Sequence, residues 1–180
     1  MVTLLILIIF VYFGYVAYRR GLALEALTAV GFALSLLVAT LLYRPIGQAI
    51  TLWIPYPSAS RASKFAFFDQ TAGLKLDKSF YAAFAFAIVF VICFALWHLV
   101  MSGFGNLQFI TGEPQIDKWA SILISVIMTQ IGCYLFLFLL STLPFPGLQT
   151  ALSHSIAANA LLKFSPGITP FFINLFVTNI

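Results

Sequence analysis

Four long apolar runs, separated by short polar interruptions, set the pattern of this 180-residue chain. At about 1.5 Å of rise per residue, a helix of roughly 20 apolar residues crosses a bilayer. The runs at 2–18, 22–43, 80–101 and 119–143 therefore predict four spanning helices. No basic region precedes the first run and "YVAYRR" offers no small-x-small cleavage site, so it reads as a retained helix rather than a signal peptide. The connection around Gly21 is so tight that it predicts antiparallel neighbours, with the glycine giving the backbone freedom to reverse. Arg44 and Pro45 together predict the end of the second span, and "LPFPG" closes the fourth.

The polar segments are less uniform. Within 44–79, Ile46, Ile50 and Trp53 recur at helical spacing, and Phe65 and Phe68 do the same opposite Arg61 and Lys64. That pattern fits short interfacial helices on either side of "PYPS", and equally a plain loop with scattered aromatics. Beyond the fourth span, "LQTALSHSIAANALLKF" has helical periodicity, a break follows at Ser165-Pro166-Gly167, and the last apolar stretch is too short to span. The expected fold is an all-α integral membrane protein. Its four transmembrane helices occupy 1–143, and an amphipathic or re-entrant hairpin occupies 144–180.

Composition agrees: 62% of residues are hydrophobic, 8% are charged and the mean hydropathy is +1.06, values outside the range of a soluble domain. The expected location is the cytoplasmic or inner membrane, multi-pass, with the lipid bilayer as the first partner. The net charge of +4 is spread over loops rather than gathered in a stripe, which suits contact with anionic lipid and excludes nucleic acid. Arg19 and Arg20 follow the first span and no charged side chain precedes it, favouring an outside N-terminus. Counting all loops points the other way. Arg44, Arg61, Lys64, Lys75, Lys78 and Lys163 lie on one side and Arg19, Arg20 and Lys118 on the other. Cys93 and Cys133 sit inside apolar runs and read as packing residues.

No catalytic constellation is legible. There is no HExxH, GxSxG or Walker lysine and no pair of intramembrane carboxylates, while His98 and His154 lack Cys, Asp or Glu at ligand spacing. The expectation is a non-enzyme with no catalytic residues, no metal and no cofactor. What stands out instead is a set of small-residue stripes. Gly31, Ser35 and Ala39 recur every four positions in the second span, Ser121, Ser125 and Thr129 in the fourth, and Ala83, Ala87 and Ala95 give the third a similar face. Such stripes let helices approach closely and let hydroxyls bond across a pair. They also motivate a homo-oligomer, or a complex with other membrane proteins. His98 and Gln130 are polar groups within spans, costly to desolvate and hence candidate functional positions. Glu25 stands in the first turn of the second span, where the helix dipole favours a carboxylate and Arg19 or Arg20 can pair with it.

Four stretches in order, "RRGLALEAL", "SFYAAFAFAIVFVICF", "IDKWASILIS" and "LSHSIAANALLKFSPGITPFF", resemble the CvpA family, the colicin V production proteins. The resemblance covers nearly the whole chain and marks Arg20, Gly21, Glu25, Asp117, Lys118, Ser165 and Pro166 as the family-motif candidates. Members typically carry a glycine ladder after an Asp-Arg pair, with an arginine before its last glycine. Here Asp117 and Lys118 match the pair, Ser121, Ser125 and Thr129 replace the glycines, and Met128 replaces the arginine, as in a divergent member of Gram-positive type. The resemblance implies a four-helix membrane protein, non-catalytic, linked to toxin production or export and to envelope homeostasis. The alternative is a small channel or transporter whose path is lined by the polar faces of spans three and four.

Overall fold

A computed structural model of the protein describes residues 1–56, 65–68, 76–103 and 114–178. The described elements are all helical: α1 (Val2–Arg20), α2 (Leu22–Ile50), α3 (Leu76–Met101), α4 (Pro114–Ser141), α5 (Pro146–Ser153), α6 (Ile156–Phe164) and α7 (Ile168–Ile173), the last continuing as a π turn through Asn174–Thr178. α1 to α4 are each long and apolar enough to cross a membrane. The chain is a multi-pass protein of the cell membrane.

The second helix does not stop at Arg44 and Pro45 but runs through them to Ile50. A proline removes one backbone donor, a loss that neighbouring helices make tolerable in a spanning helix. Here those neighbours hold α2 on both sides of Pro45. Tyr43 is buried against Phe86 and Phe176 and donates its hydroxyl to the Leu175 carbonyl at 3.3 Å, and Gly47 lies against the Tyr81 backbone. Ile46 and Ile50 thus belong to the span, not to a separate interfacial helix. Phe65 to Phe68 are not helical: the Ala66 N–H donates to Gln149 Oε1 at 2.9 Å and the Phe68 ring packs edge-on against Phe138. Arg61 and Lys64 lie outside the described residues. α3 and α4 begin earlier than their hydropathy predicts, α3 because Leu76 is itself buried, α4 because Pro114 supplies a preset first turn.

The tight hinge does not make α1 and α2 close partners. α1 packs chiefly along α4 and α2 chiefly along α3, so the bundle is two helix pairs that meet mainly through α2 and α4. The α2–α3 pair is close because its facing residues are small: Gly31, Ser35, Ala39 and Gly47 on one side, Ala82, Ala83 and Ala85 on the other, all buried. Ala95, expected on that face, is exposed.

The C-terminal segment breaks between α6 and α7 with a bend of 74°. Gly167 adopts φ +82° there, a conformation that favours glycine. Past the break the chain enters the bundle. Phe172 and Phe176 are buried and join Phe86 of α3 and Tyr134 and Phe138 of α4 in one aromatic cluster, with ring centroids 5.3 to 5.7 Å apart. The hairpin is a plug in the core at the end opposite the α1–α2 hinge.

Candidate functional site

The site begins at the hinge. Gly21 has φ +82° and ψ 168°, a region essentially restricted to glycine. A Cβ there would stand 3.3 Å from Asp117 Oδ2, so the first turn of α4 is seated directly on the turn between α1 and α2. Asp117 is buried, and Lys118 beside it places its ammonium 4.8 Å above the Tyr18 ring and 3.3 Å from the Tyr18 hydroxyl. Two of the sequence signals, far apart in the chain, therefore form one locus. Gly21 meets Asp117, and Lys118 meets Tyr18 just before the hinge.

One turn into α2, Glu25 is only 4% exposed and lies beside the Ser125 hydroxyl, with the Arg20 guanidinium close enough to act on its charge. Ser125 donates its proton to the Phe13 carbonyl at 3.1 Å, tying α4 to α1. His98, near the end of α3, meets Phe94 edge-on with centroids 4.5 Å apart and also feels Arg20. Arg20, Glu25, His98, Ser125 and Thr129 line the polar part of a cavity of about 430 Å³. The rest of its wall is apolar and includes Phe13, Phe32, Phe94 and Phe136. The cavity lies between the two helix pairs, and all four spans contribute to it.

Other expected positions lie elsewhere. Gln130, near the middle of α4, donates to Ser165 Oγ at 3.2 Å, so the amide fastens the bend of the hairpin and does not line the cavity with His98. Ser165 is buried and Pro166 exposed. Of the stripe hydroxyls, Ser35 and Ser121 bond within their own helices, to the Gly31 carbonyl at 2.7 Å and the Lys118 carbonyl at 2.9 Å. Ser125 is the one that reaches another helix among those whose bonds are described. Trp97 was not legible as a partner of the Gly31 stripe. The pyrrole atoms of its indole lie against Gly31, and the indole N–H donates to the Leu27 carbonyl at 3.1 Å. The four-residue spacing continues from Gly31, Ser35 and Ala39 to Tyr43 and Gly47, a signal hidden by ending the helix at Pro45.

At the far end a second cavity of about 670 Å³ lies between α2 and α3, lined by Arg44, Asp77, Lys78 and Tyr81 among others. Beside it Tyr56 donates to the Thr142 carbonyl at 2.6 Å. Burial first, then the nearby Asp77 carboxylate, push the Tyr56 phenol up to about 12. Among the described residues no group of three His, Cys, Asp or Glu side chains could hold a metal ion, and Cys93 and Cys133 are free, half-buried thiols.

A family profile described as "Colicin V production protein" matches residues 2–166, the end falling at the break of the hairpin. The chain belongs to the colicin V production protein family. It is a membrane protein of that family with four helices long and apolar enough to span. A relative in Bacillus subtilis (strain 168), described as the uncharacterized transmembrane protein YshB, is 28% identical over 171 residues and covers 92% of each chain. No solved structure matches.

Proposed function

We propose that this protein acts without catalysis in the production or export of a colicin-V-type toxin and in upkeep of the envelope, working through the charged end of the α1–α4 cavity. The observation that carries this reading is the convergence of Arg20, Gly21, Glu25 and Asp117 at one end of the bundle, in a chain whose family is named for colicin V production. A buried carboxylate in a spanning helix is costly and marks a functional position. On this reading the hinge end faces the cytoplasm, as the arginines after the first span favour, and the protein works with other membrane proteins or as a homo-oligomer. Arg20→Ala and Glu25→Ala, expressed in a strain lacking the gene, should insert normally yet leave the envelope or secretion defect unrescued. Full rescue by both would return these residues to plain anchors. Affinity purification from membranes in mild detergent should recover a partner or a second copy, and recovery of monomer alone refutes the assembly.

The channel or transporter reading has its own support in His98, Ser125 and Thr129, which share one cavity. Gln130 takes no part in it. Ion or solute flux through liposomes containing the folded protein is its test.

A further inference from the structure

We infer that the cavity between the spans is a binding site for one membrane lipid, an amphiphile with a phosphate diester and hydroxyls in its head and an acyl chain in the cavity floor. The inference stands on the cavity itself and does not depend on the role in toxin production.

Depth is the first argument. On α1 the lining covers twelve residues from Arg20 to Ile9, a rise of about 16 Å. On α4 it covers twelve more, from Ser125, which is level with Phe13, to Phe136. Together they make a depth of about 27 Å, so the cavity starts at one headgroup level and runs past the midplane of a core roughly 30 Å thick, long enough for a head and an extended chain. Its polarity follows the same axis. Arg20, Glu25 and His98 lie at the hinge end, and Ile9, Gly132 and Phe136 at the inner end. A lipid has this gradient, whereas a wholly polar solute would leave the aromatic floor empty and a plain hydrocarbon would leave Glu25 facing it.

Charge and shape narrow the head. Among the described residues at this end, Arg19, Arg20 and Lys118 face two carboxylates, Glu25 and Asp117, leaving one positive charge in excess. Arginine binds phosphate oxygens through its planar fork. Glu25, 4% exposed and lining the cavity, supplies an acceptor for a hydroxyl of the head. A volume of about 430 Å³ admits a chain, and the exposure of Tyr12, Phe13 and Phe136 on its rim leaves the side open to lipid. Phosphatidylglycerol has the required chemistry. Phosphatidylcholine with the same chains lacks both the net charge and the hydroxyls.

Gly132 lines the cavity, and a Cβ added there meets nothing within 4 Å, so Gly132→Leu starts its side chain from open space in the cavity wall. Gly14 is equally open but outside the lining, and Gly14→Leu is the matched control. Native mass spectrometry of the purified full chain, titrated with each lipid, reads the first bound molecule. Phosphatidylglycerol should bind about tenfold tighter than phosphatidylcholine, with Arg20→Gln bringing the two to parity. Gly132→Leu should lose the first site and Gly14→Leu should keep it. A second readout does not rely on the filled variant folding. In a Cys93→Ser chain, phosphatidylglycerol should slow maleimide labelling of Cys133, which lines the cavity, and inorganic phosphate should not. Equal binding of the two lipids by the unaltered chain, retention of the first site in Gly132→Leu, or unprotected Cys133 overturns the inference.

Discussion

Gly31→Ala tests the closest approach in the bundle. The Trp97 indole lies against the Gly31 backbone so closely that an alanine methyl would overlap its pyrrole edge, while the indole N–H is held by the Leu27 carbonyl at 3.1 Å. The methyl leaves two outcomes: the helices separate locally, or the ring swings out and loses that bond and its packing. Overpacking a tight contact costs about 1–3 kcal/mol. An interhelical hydrogen bond in a membrane protein adds about 0.6 kcal/mol. Against these, alanine improves helix propensity by up to about 1 kcal/mol over glycine. The expected net loss is about 0.6–2.6 kcal/mol.

Unfolding in mixed dodecyl sulfate and mild detergent, followed by far-UV circular dichroism so that the signal survives removal of Trp97, measures it. The decisive comparison is the double mutant. In a Trp97→Ala background the obstacle is gone and Gly31→Ala should cost nothing, giving a coupling of about 0.6–2.6 kcal/mol. Gly14→Ala and Gly132→Ala, where a Cβ meets open space, should be neutral or stabilising. A Gly31→Ala protein that unfolds at the wild-type midpoint, or a cost that persists without Trp97, refutes the packing argument.

Two further predictions concern the ends of the bundle. Because the Tyr56 phenol is raised to about 12 from an ordinary value near 10, its neutral form contributes stability that is complete below about pH 10 and lost as pH rises through 12. Tyr56→Phe should flatten that alkaline loss in a detergent-unfolding series, and an unchanged profile would show that the phenol is not the group responsible. With four spans and the hinge in the cytoplasm, a reporter fused at Ile180 should be active only outside the cytoplasm. Activity inside reverses the orientation.

The number of spans and the break in the C-terminal hairpin were legible because both are local signals, apolar length and a Pro-Gly pair. The pairing of the spans was not. A short hinge suggests that α1 and α2 are partners, yet chain connectivity constrains only their ends, and the small-residue faces decide that α2 packs on α3. Pro45 misled for a related reason. Its local cost is outweighed by contacts of Tyr43 and Gly47 with residues far away in sequence. For the site, resemblance to a family picked out Arg20, Gly21, Glu25, Asp117 and Lys118, but only the fold sets Asp117 against Gly21 and puts Arg20 and Glu25 on the wall of one cavity. Ser125 shows the same limit: it read as one rung of a stripe, and it is the hydroxyl that ties α4 to α1 beside Glu25.

The hinge itself offers the sharpest separation of geometry from charge. Gly21 combines a positive φ with an extended ψ, and a side chain forced into that region costs about 1–3 kcal/mol. A Cβ at 3.3 Å from Asp117 Oδ2 would in addition push the carboxylate that seats α4 on the turn. Gly21→Ala should therefore be destabilised by about 1–3 kcal/mol with every charge of the site still present. Asp117→Ala in the same chain frees the space but cannot relieve the backbone, so it should restore little of the loss. Detergent unfolding of the single and double variants distinguishes the two terms. If Gly21→Ala is as stable as the unaltered chain, the hinge has another accessible conformation and the convergence of Arg20, Glu25 and Asp117 is not imposed by the glycine. If Asp117→Ala restores stability in full, the contact rather than the backbone is what requires glycine there.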